Sequence, residues 1–446
     1  MNLHSNYFFN NMPMCILQHV CDEYLNFPDV NNLKQINKKC NRIKIKNFNE
    51  LPCIIESRLT NEILLNYPYL ELLRINCTTV TRMNLSTGLN GLCCNFGNYF
   101  LKFDFEYKIY NNKIKNLVNL EELYIHNDSM ITDLNYMKKL KILWIKDSNL
   151  NDEGIKNLIN LEELHIISNK QIKNINHLKN LKILILRYTN LDNDGIKDLV
   201  QLEGLYVAFN SNVTDINHMT KLKRLNASGV CGLGDFGIKN LTQLEELDVT
   251  HNSNVTDINH MTKLKQLNAY GNCGLGDSGI KNLTQLEELV VGYNNNNNNV
   301  TDINHMTKLK RLNASGNCGL GDSGIKNLMQ LEELVVGYNN NVTDINHMTK
   351  LKRLNASGDC GLGDSRIKNL TQLEELDVGY NSNVTDINHM TKLKRLNASG
   401  NCGLGDTGIK NLVELVELNV GYNKKITDIK SYNKIKTIIS AWKLWT

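Results

Sequence analysis

The chain reads as an α/β solenoid of short parallel strands, and two observations carry that expectation: a fixed period of about 42 residues and a leucine pattern that occurs twice within it. The glycine of "GIKNL" falls at Gly154, Gly195, Gly237, Gly279, Gly324 and Gly408, with Arg366 in the remaining slot, so successive steps are 41, 42, 42, 45, 42 and 42 residues. The long step holds the run Asn294 to Asn299, which lengthens one turn. Self-similarity at such a period marks a stack of units, none of which can bury its apolar face alone.

Each period holds two units, of which "LEELDVGYNSNVTDINHMTK" (Leu373 to Lys392) and "LKRLNASGNCGLGDTGIKNLVE" (Leu393 to Glu414) are representative. Both fit L-x-x-L-x-apolar-x-x-N. Units of this form begin at fifteen leucines, from Leu120 to Leu415. The pattern resembles the leucine-rich repeat. The first type is similar to the short repeats of internalin and SDS-type proteins, the second to ribonuclease-inhibitor and cysteine-containing repeats. The resemblance spans about residues 116 to 434 and implies a horseshoe whose strands line the concave side, with short helical or irregular returns outside.

Position by position, Leu373, Leu376 and Val378 (positions 1, 4 and 6) should point inward and stack on their equivalents. "VTDINHM" should add two buried apolar residues. Asparagine at position 9 (Asn169, Asn210, Asn252, Asn294, Asn339, Asn381, Asn423) should satisfy backbone groups where the chain leaves the strand. "LGDSGIKNL" should form a short capped helix of about two turns. Residues 46–115 read as a linker and degenerate opening repeats, with a strand pattern in "LELLRINC" (Leu70 to Cys77). Residues 435–446 read as a cap that places Ile435, Ile438, Trp442 and Trp445 over the last strand, because solenoid ends need covering.

Fifty basic against 46 acidic residues leave a net charge of +4, so no global field favours nucleic acid or membrane surfaces. The N-terminus lacks the charged and apolar regions of a signal peptide, and no apolar run approaches membrane length. With 12 cysteines in a 446-residue chain, free thiols in an intracellular, cytoplasmic setting are expected. Richness in Asn, Lys and Ile suggests an AT-rich genome, such as that of a giant virus or amoeboid protist.

Several ladders imitate chemistry. His177, His218, His260, His305, His347 and His389 recur two units apart, roughly 10 Å at strand spacing, too far to converge on one metal ion. Cys231, Cys273, Cys318, Cys360 and Cys402 fail the disulfide distance for the same reason. "GLGDSG" at Gly319 fits the G-x-G-x-x-G of a phosphate loop. However, the copy at Gly361 ends in Arg366, where close approach of a pyrophosphate demands glycine. Glu374 and Glu375 in one unit should face Lys394 and Arg395 in the next as paired charges, leaving no basic track for nucleic acid. No acid, base or nucleophile is grouped except by the repeat, so neither enzyme nor cofactor is expected. An aromatic column at position 8 (Phe209, Tyr293, Tyr338, Tyr380, Tyr422) offers candidate partner-binding residues, with mutual packing between turns as the other reading.

Residues 1–45 follow a different pattern. In "MPMCILQHVCDEYLNFPDVNNLKQINKKCNRI" (Met12 to Ile43), Pro13 suits a helix start and the apolar spacing suggests three small helices. The order Met12-Pro13, Ile16-Leu17, Val20, Tyr24-Leu25, Asp29-Val30, Leu33, Ile36, Lys38 and Ile43 resembles an F-box, with Cys40 where that family carries an aromatic residue. The resemblance implies that Pro13, Ile16, Leu17, Val20, Leu25, Val30, Leu33 and Ile36 pack together and onto a Skp-type adaptor of a cullin-RING ligase. The repeats would then present an unidentified target protein, held on the concave face, for ubiquitination.

Overall fold

A computed structural model describes residues 72–76 and 114–439, apart from 116, 128, 294–299, 429–431 and 433. The F-box-like segment, Asn294, Trp442 and Trp445 lie outside the described residues. The chain divides into two compact units, Met1–Leu202 and Glu203–Thr446.

Unit 1 is a parallel-strand solenoid of five-residue strands: β1 (Leu72–Asn76), β2 (Glu122–His126), β3 (Ile142–Lys146), β4 (Glu163–Ile167) and β5 (Ile183–Arg187). Each pairs in parallel with the next, so that Leu123, Leu143, Leu164 and Leu184 share one register row. Those leucines, with Ile125, Ile145, Ile166 and Leu186 two residues on, are at most 1% exposed. Alternate residues face away from this core, as the period of two in a strand requires.

Unit 2 repeats the plan with twelve three-residue strands, from β6 (Gly204–Tyr206) to β17 (Thr437–Ile439), each parallel to the next. Many of them carry a local competitor at position 5, although Tyr206, Val290 and Val335 hold that position in strands of the same length. Asn226, Asn313, Asn355 and Asn397 at position 5 turn their carboxamide oxygens back onto the backbone N–H of position 7, at 3.0 to 3.2 Å. Asp248 and Asp377 do the same at 2.9 Å. Side-chain acceptors of this kind compete with the strand ladder. In unit 1 the same position carries Tyr124, Trp144, His165 and Ile185, which favour extended chain.

The asparagine ladder bonds as its position suggests. Asn252 donates to Ala227 O at 2.8 Å and Leu233 O at 3.1 Å, and accepts from Asn254 N at 2.9 Å. Three rather than two residues of "VTDINHM" are buried, since Met348 joins Val342 and Ile345 at 0% exposure. The return of the second-type unit is shorter than expected: Asp322–Ile325 is a single helical turn, and its N-cap, Gly321, has no side chain with which to cap it. In unit 1 the equivalent turns are capped, by Asn151 and Asp192. At the C-terminal end, Thr437–Ile439 of the segment read as a cap adds a strand to the sheet, pairing with Glu417–Asn419.

The polar residues of the returns stitch neighbouring turns together. Asp322 accepts from Thr343 N at 2.6 Å, Thr343 Oγ1 at 2.6 Å and Asp344 N at 3.0 Å. The same clamp recurs at Asp235, Asp277, Asp364 and Asp406. The phosphate-loop lookalike is therefore a carboxylate clamp whose last glycine abuts backbone. A Cβ at Gly324 would sit 1.9 Å from Thr301 O. Arg366, in that slot one period later, stretches the bond from Ile345 N to its carbonyl to 3.3 Å, against 3.0 Å for Ile303 N to Gly324 O.

Candidate functional site

The outward strand face of unit 1 carries three rows of side chains. Position 3 holds Glu122, Ile142, Glu163 and Ile183; position 5 holds Tyr124, Trp144, His165 and Ile185; position 7 holds His126, Lys146, Ile167 and Arg187. The middle row is a stack. Tyr124 and Trp144 have ring centroids 5.2 Å apart at 36°, and Trp144 lies 3.6 Å from the His165 ring at 18°.

His165 is only 3% exposed and donates from Nε2 to Glu163 Oε1 at 2.5 Å. Burial pulls its imidazole below the ordinary value, against the pull of Glu163. His126 is lowered too, first by burial and then by the positive charge of Lys146. Trp144 is thus held between the tilted Tyr124 ring and the stacked His165 imidazole, as a half-buried platform. Charge is segregated around it, with Lys146 and Arg187 along one flank and Glu122 and Glu163 along the other. Asp147, the residue after β3, lies 3.8 Å from His126.

The strand face of unit 2 shares the position-2 pairing of unit 1, where Lys141 and Lys182 pair with Glu121 and Glu162, and differs at positions 3 and 5. Lysines and glutamates at position 2 pair across neighbouring strands: Lys265 with Glu245 at 2.6 Å, Lys310 with Glu287 at 2.7 Å, Lys352 with Glu332 at 2.8 Å and Lys394 with Glu374 at 2.7 Å. At position 3, Arg311, Arg353 and Arg395 pair with Glu288, Glu333 and Glu375. A groove of about 390 Å³ runs over this lattice, lined by Glu333, Arg353, Asn355, Asp377, Arg395 and Asn397 among others. Its charges are already compensated, so it offers a ligand little net field.

The aromatic column has an unexpected backbone. Phe209, Tyr293, Tyr338, Tyr380 and Tyr422, and His251 with them, adopt φ between 54° and 61°. In the alternate units that slot is glycine, from Gly229 to Gly400, also at positive φ. The rings from Phe209 to Tyr380 each lie on the next unit's glycine: a Cβ at Gly316 would come within 2.7 Å of Tyr293, and one at Gly358 within 2.4 Å of Tyr338. Half of each tyrosine stays open, from 42% at Tyr293 to 60% at Tyr422. The column therefore packs between turns and also presents a face to solvent.

The remaining ladders are structural. His177, His260, His305, His347 and His389 donate from Nε2 to isoleucine carbonyls one unit back, at 3.0 to 3.3 Å. Tyr432 makes the same bond, to Ile409 O at 3.0 Å. The five described cysteines are free and buried, and burial pushes their thiols up. Cys318 donates to Ala314 O at 3.2 Å and receives Asn339 Nδ2 at 3.3 Å. Among the described residues, no group of three His, Cys, Asp or Glu is placed to hold a metal ion, and no helix is long and apolar enough to cross a membrane.

With this geometry established, comparison with known proteins fixes the class of fold. Similar solved structures include a Leptospira interrogans LRR protein (22% identity, TM-score 0.50), covering 75% of this chain and 88% of that one. A second is TLR13 in complex with ssRNA13 (19% identity, TM-score 0.52), covering 73% of this chain and 57% of that one. An internalin (inlF) from Listeria monocytogenes is 26% identical over 73% of this chain and 88% of its own, at a TM-score of 0.47. No protein-family model and no curated protein matches the chain. The fold is a parallel-strand solenoid of the leucine-rich-repeat kind.

The face of unit 1 is a candidate site that sequence reasoning missed. A signal for it existed: these units depart from the later repeats, with Ile142 at position 3 where Arg recurs, Trp144 and Ile185 at position 5 where Asn recurs, and Lys146 and Arg187 at position 7 where Ser recurs.

Proposed function

We propose that this chain is a non-catalytic target receptor of an SCF-type ubiquitin ligase. Its repeats hold a target protein on the strand face, and its F-box-like segment holds a Skp-type adaptor in the cytoplasm. A leucine-rich-repeat fold suits protein interaction in general, and fold alone does not choose the partner. The observation that carries the binding half is the Tyr124–Trp144–His165 stack. A rigid aromatic anchor on an otherwise charge-paired surface has the composition of an interface hot spot. Support for the ubiquitin-ligase half is the ordered match of Pro13, Ile16, Leu17, Val20, Leu25, Val30, Leu33 and Ile36 to the F-box pattern.

The second reading is a stand-alone binding protein, an inhibitor or decoy with no ligase link. It is favoured by one fact: the aromatic stack is formed by residues of β2, β3 and β4.

Co-purification of the full chain with a Skp-type adaptor separates the two. The adaptor should be retained by the natural chain and lost with Leu17→Asp or Leu25→Asp. A natural chain that retains no adaptor removes the ligase assignment and leaves the stand-alone binder.

A further inference from the structure

We infer that the strand face of unit 1 takes an extended protein segment that sets a large apolar side chain on Trp144 and turns a carboxylate toward Lys146 and Arg187. The inference rests on the protein-binding reading and adds where binding occurs and what chemistry it selects.

The place follows from what each row has left to give. Trp144 is half-buried on a stacked histidine, so its ring is already ordered and little rotamer freedom is lost on binding. Ile142, Ile183, Ile185 and Ile167 surround it in register and are likewise half-buried. From β2 to β5 the patch spans three strand spacings, roughly 14 Å. An extended chain rises about 3.3 Å per residue, so a segment of about five residues crosses it.

Charge decides the chemistry. At position 2 every described lysine of the face, Lys141 and Lys182, is tied to a glutamate one strand away, at 2.8 and 2.6 Å. Lys146 at position 7 forms no ion pair among the described residues, and its field is felt at His126. Arg187 stands two strands further along the same row, beyond Ile167, its guanidinium carbon 5.8 Å from the Tyr188 ring. On the opposite flank Glu163 is engaged by His165. Glu122, one strand away, likewise forms no ion pair among the described residues, so the uncommitted charge within β3, the strand that carries Trp144, is the cation Lys146, and complementarity there fixes which way a partner lies.

The test uses the full chain and three labelled decapeptides read by fluorescence anisotropy: leucine alternating with aspartate, leucine alternating with lysine, and serine alternating with aspartate. The leucine–aspartate peptide should bind saturably and at least about tenfold tighter than the other two, the scale on which hot-spot truncations act. Trp144→Ala and, separately, the exposed change Lys146→Glu should each weaken it by about tenfold or more, while Met329→Ala, an exposed change in unit 2, leaves it unchanged. Far-ultraviolet circular dichroism checks that the variants keep their fold. Equal binding of the leucine–lysine peptide, or undiminished binding by folded Lys146→Glu, overturns the inference. Adaptor co-purification reads Met12 to Ile43 and not this face, so the ligase reading stands or falls separately.

Discussion

Unit 1 and unit 2 are built on the same kind of core and differ on the surface. Leu164 and Leu376 hold the same position of the repeat and are 0% and 2% exposed, whereas the residues beside them have diverged: His165 stacks on a tryptophan, while Asp377 folds back onto Gly379 N. In unit 2 nearly every polar group on the strand face is occupied by a neighbour, through Lys–Glu pairs and through Asn and Asp turned onto the backbone. A surface that satisfies itself has little to offer a partner. Unit 1 breaks the repeat at the positions that do not contribute to stacking, and there it exposes aromatic and aliphatic surface beside a cation. Repetition thus marks what the scaffold needs, and departure from it marks where selectivity can reside.

The largest effect should show that the cores are equivalent. Leu164→Ala and Leu376→Ala each remove a fully packed side chain and should each cost about 2–5 kcal/mol, read by denaturant unfolding of the full chain. A difference between them well beyond that spread would mean that the units are not built on one packing plan. Because stability in repeat arrays is a sum of local and neighbour terms, each change should act first on its own unit.

A smaller effect tests a break in the repeat of unit 2. Arg366→Gly should return the slot to the close approach seen at Gly324 and Gly408, where a Cβ would lie 1.9 to 2.0 Å from a carbonyl oxygen. The relaxed bond from Ile345 N should stabilise unit 2 by up to about 1 kcal/mol, the usual scale for restoring a consensus residue. Loss of the Arg366–Asp344 ion pair, 3.0 Å and exposed, should offset little of that. A lowered melting temperature would show that the arginine is accommodated without strain.

The smallest effect is a pH dependence of unit 1. His126 and His165 have folded values below the ordinary 6.5, so below about pH 6.5 the unfolded chain takes up protons that the folded chain does not. Their contribution to stability is therefore present above 6.5 and declines as pH falls from there toward the folded values. Near-ultraviolet circular dichroism of the Trp144 environment during acid titration should report it, and His165→Gln should flatten the slope. An unaltered slope in that variant would assign the effect elsewhere.

The scaffold was legible because its signals are periodic. Leucines at fixed spacing, asparagine at position 9 and opposed Glu and Lys rows each implied a contact one unit away, and those contacts are present. The helical return was overestimated because "LGDSGIKNL" looks like a capped helix with Ile and Leu at helical spacing, but its Ser, Gly and Asn are poor helix formers and the chain rejoins the next strand after one turn. The left-handed backbone at Tyr338 and Tyr380 was hidden because bulky side chains rarely adopt it; the clue was glycine in the same slot of the alternate units. The Trp144 cluster was passed over because it consists of single departures, and a search for repeats discounts them.

The amino-acid sequence by itself determined that a stack of parallel strands would form, since no single unit has apolar surface enough to fold alone and the period leaves one way to combine them. Which side chains meet on the outer face was decided only by tertiary structure. Tyr124, Trp144 and His165 are twenty or more residues apart along the chain, and only the in-register pairing of β2, β3 and β4 brings their rings within stacking distance.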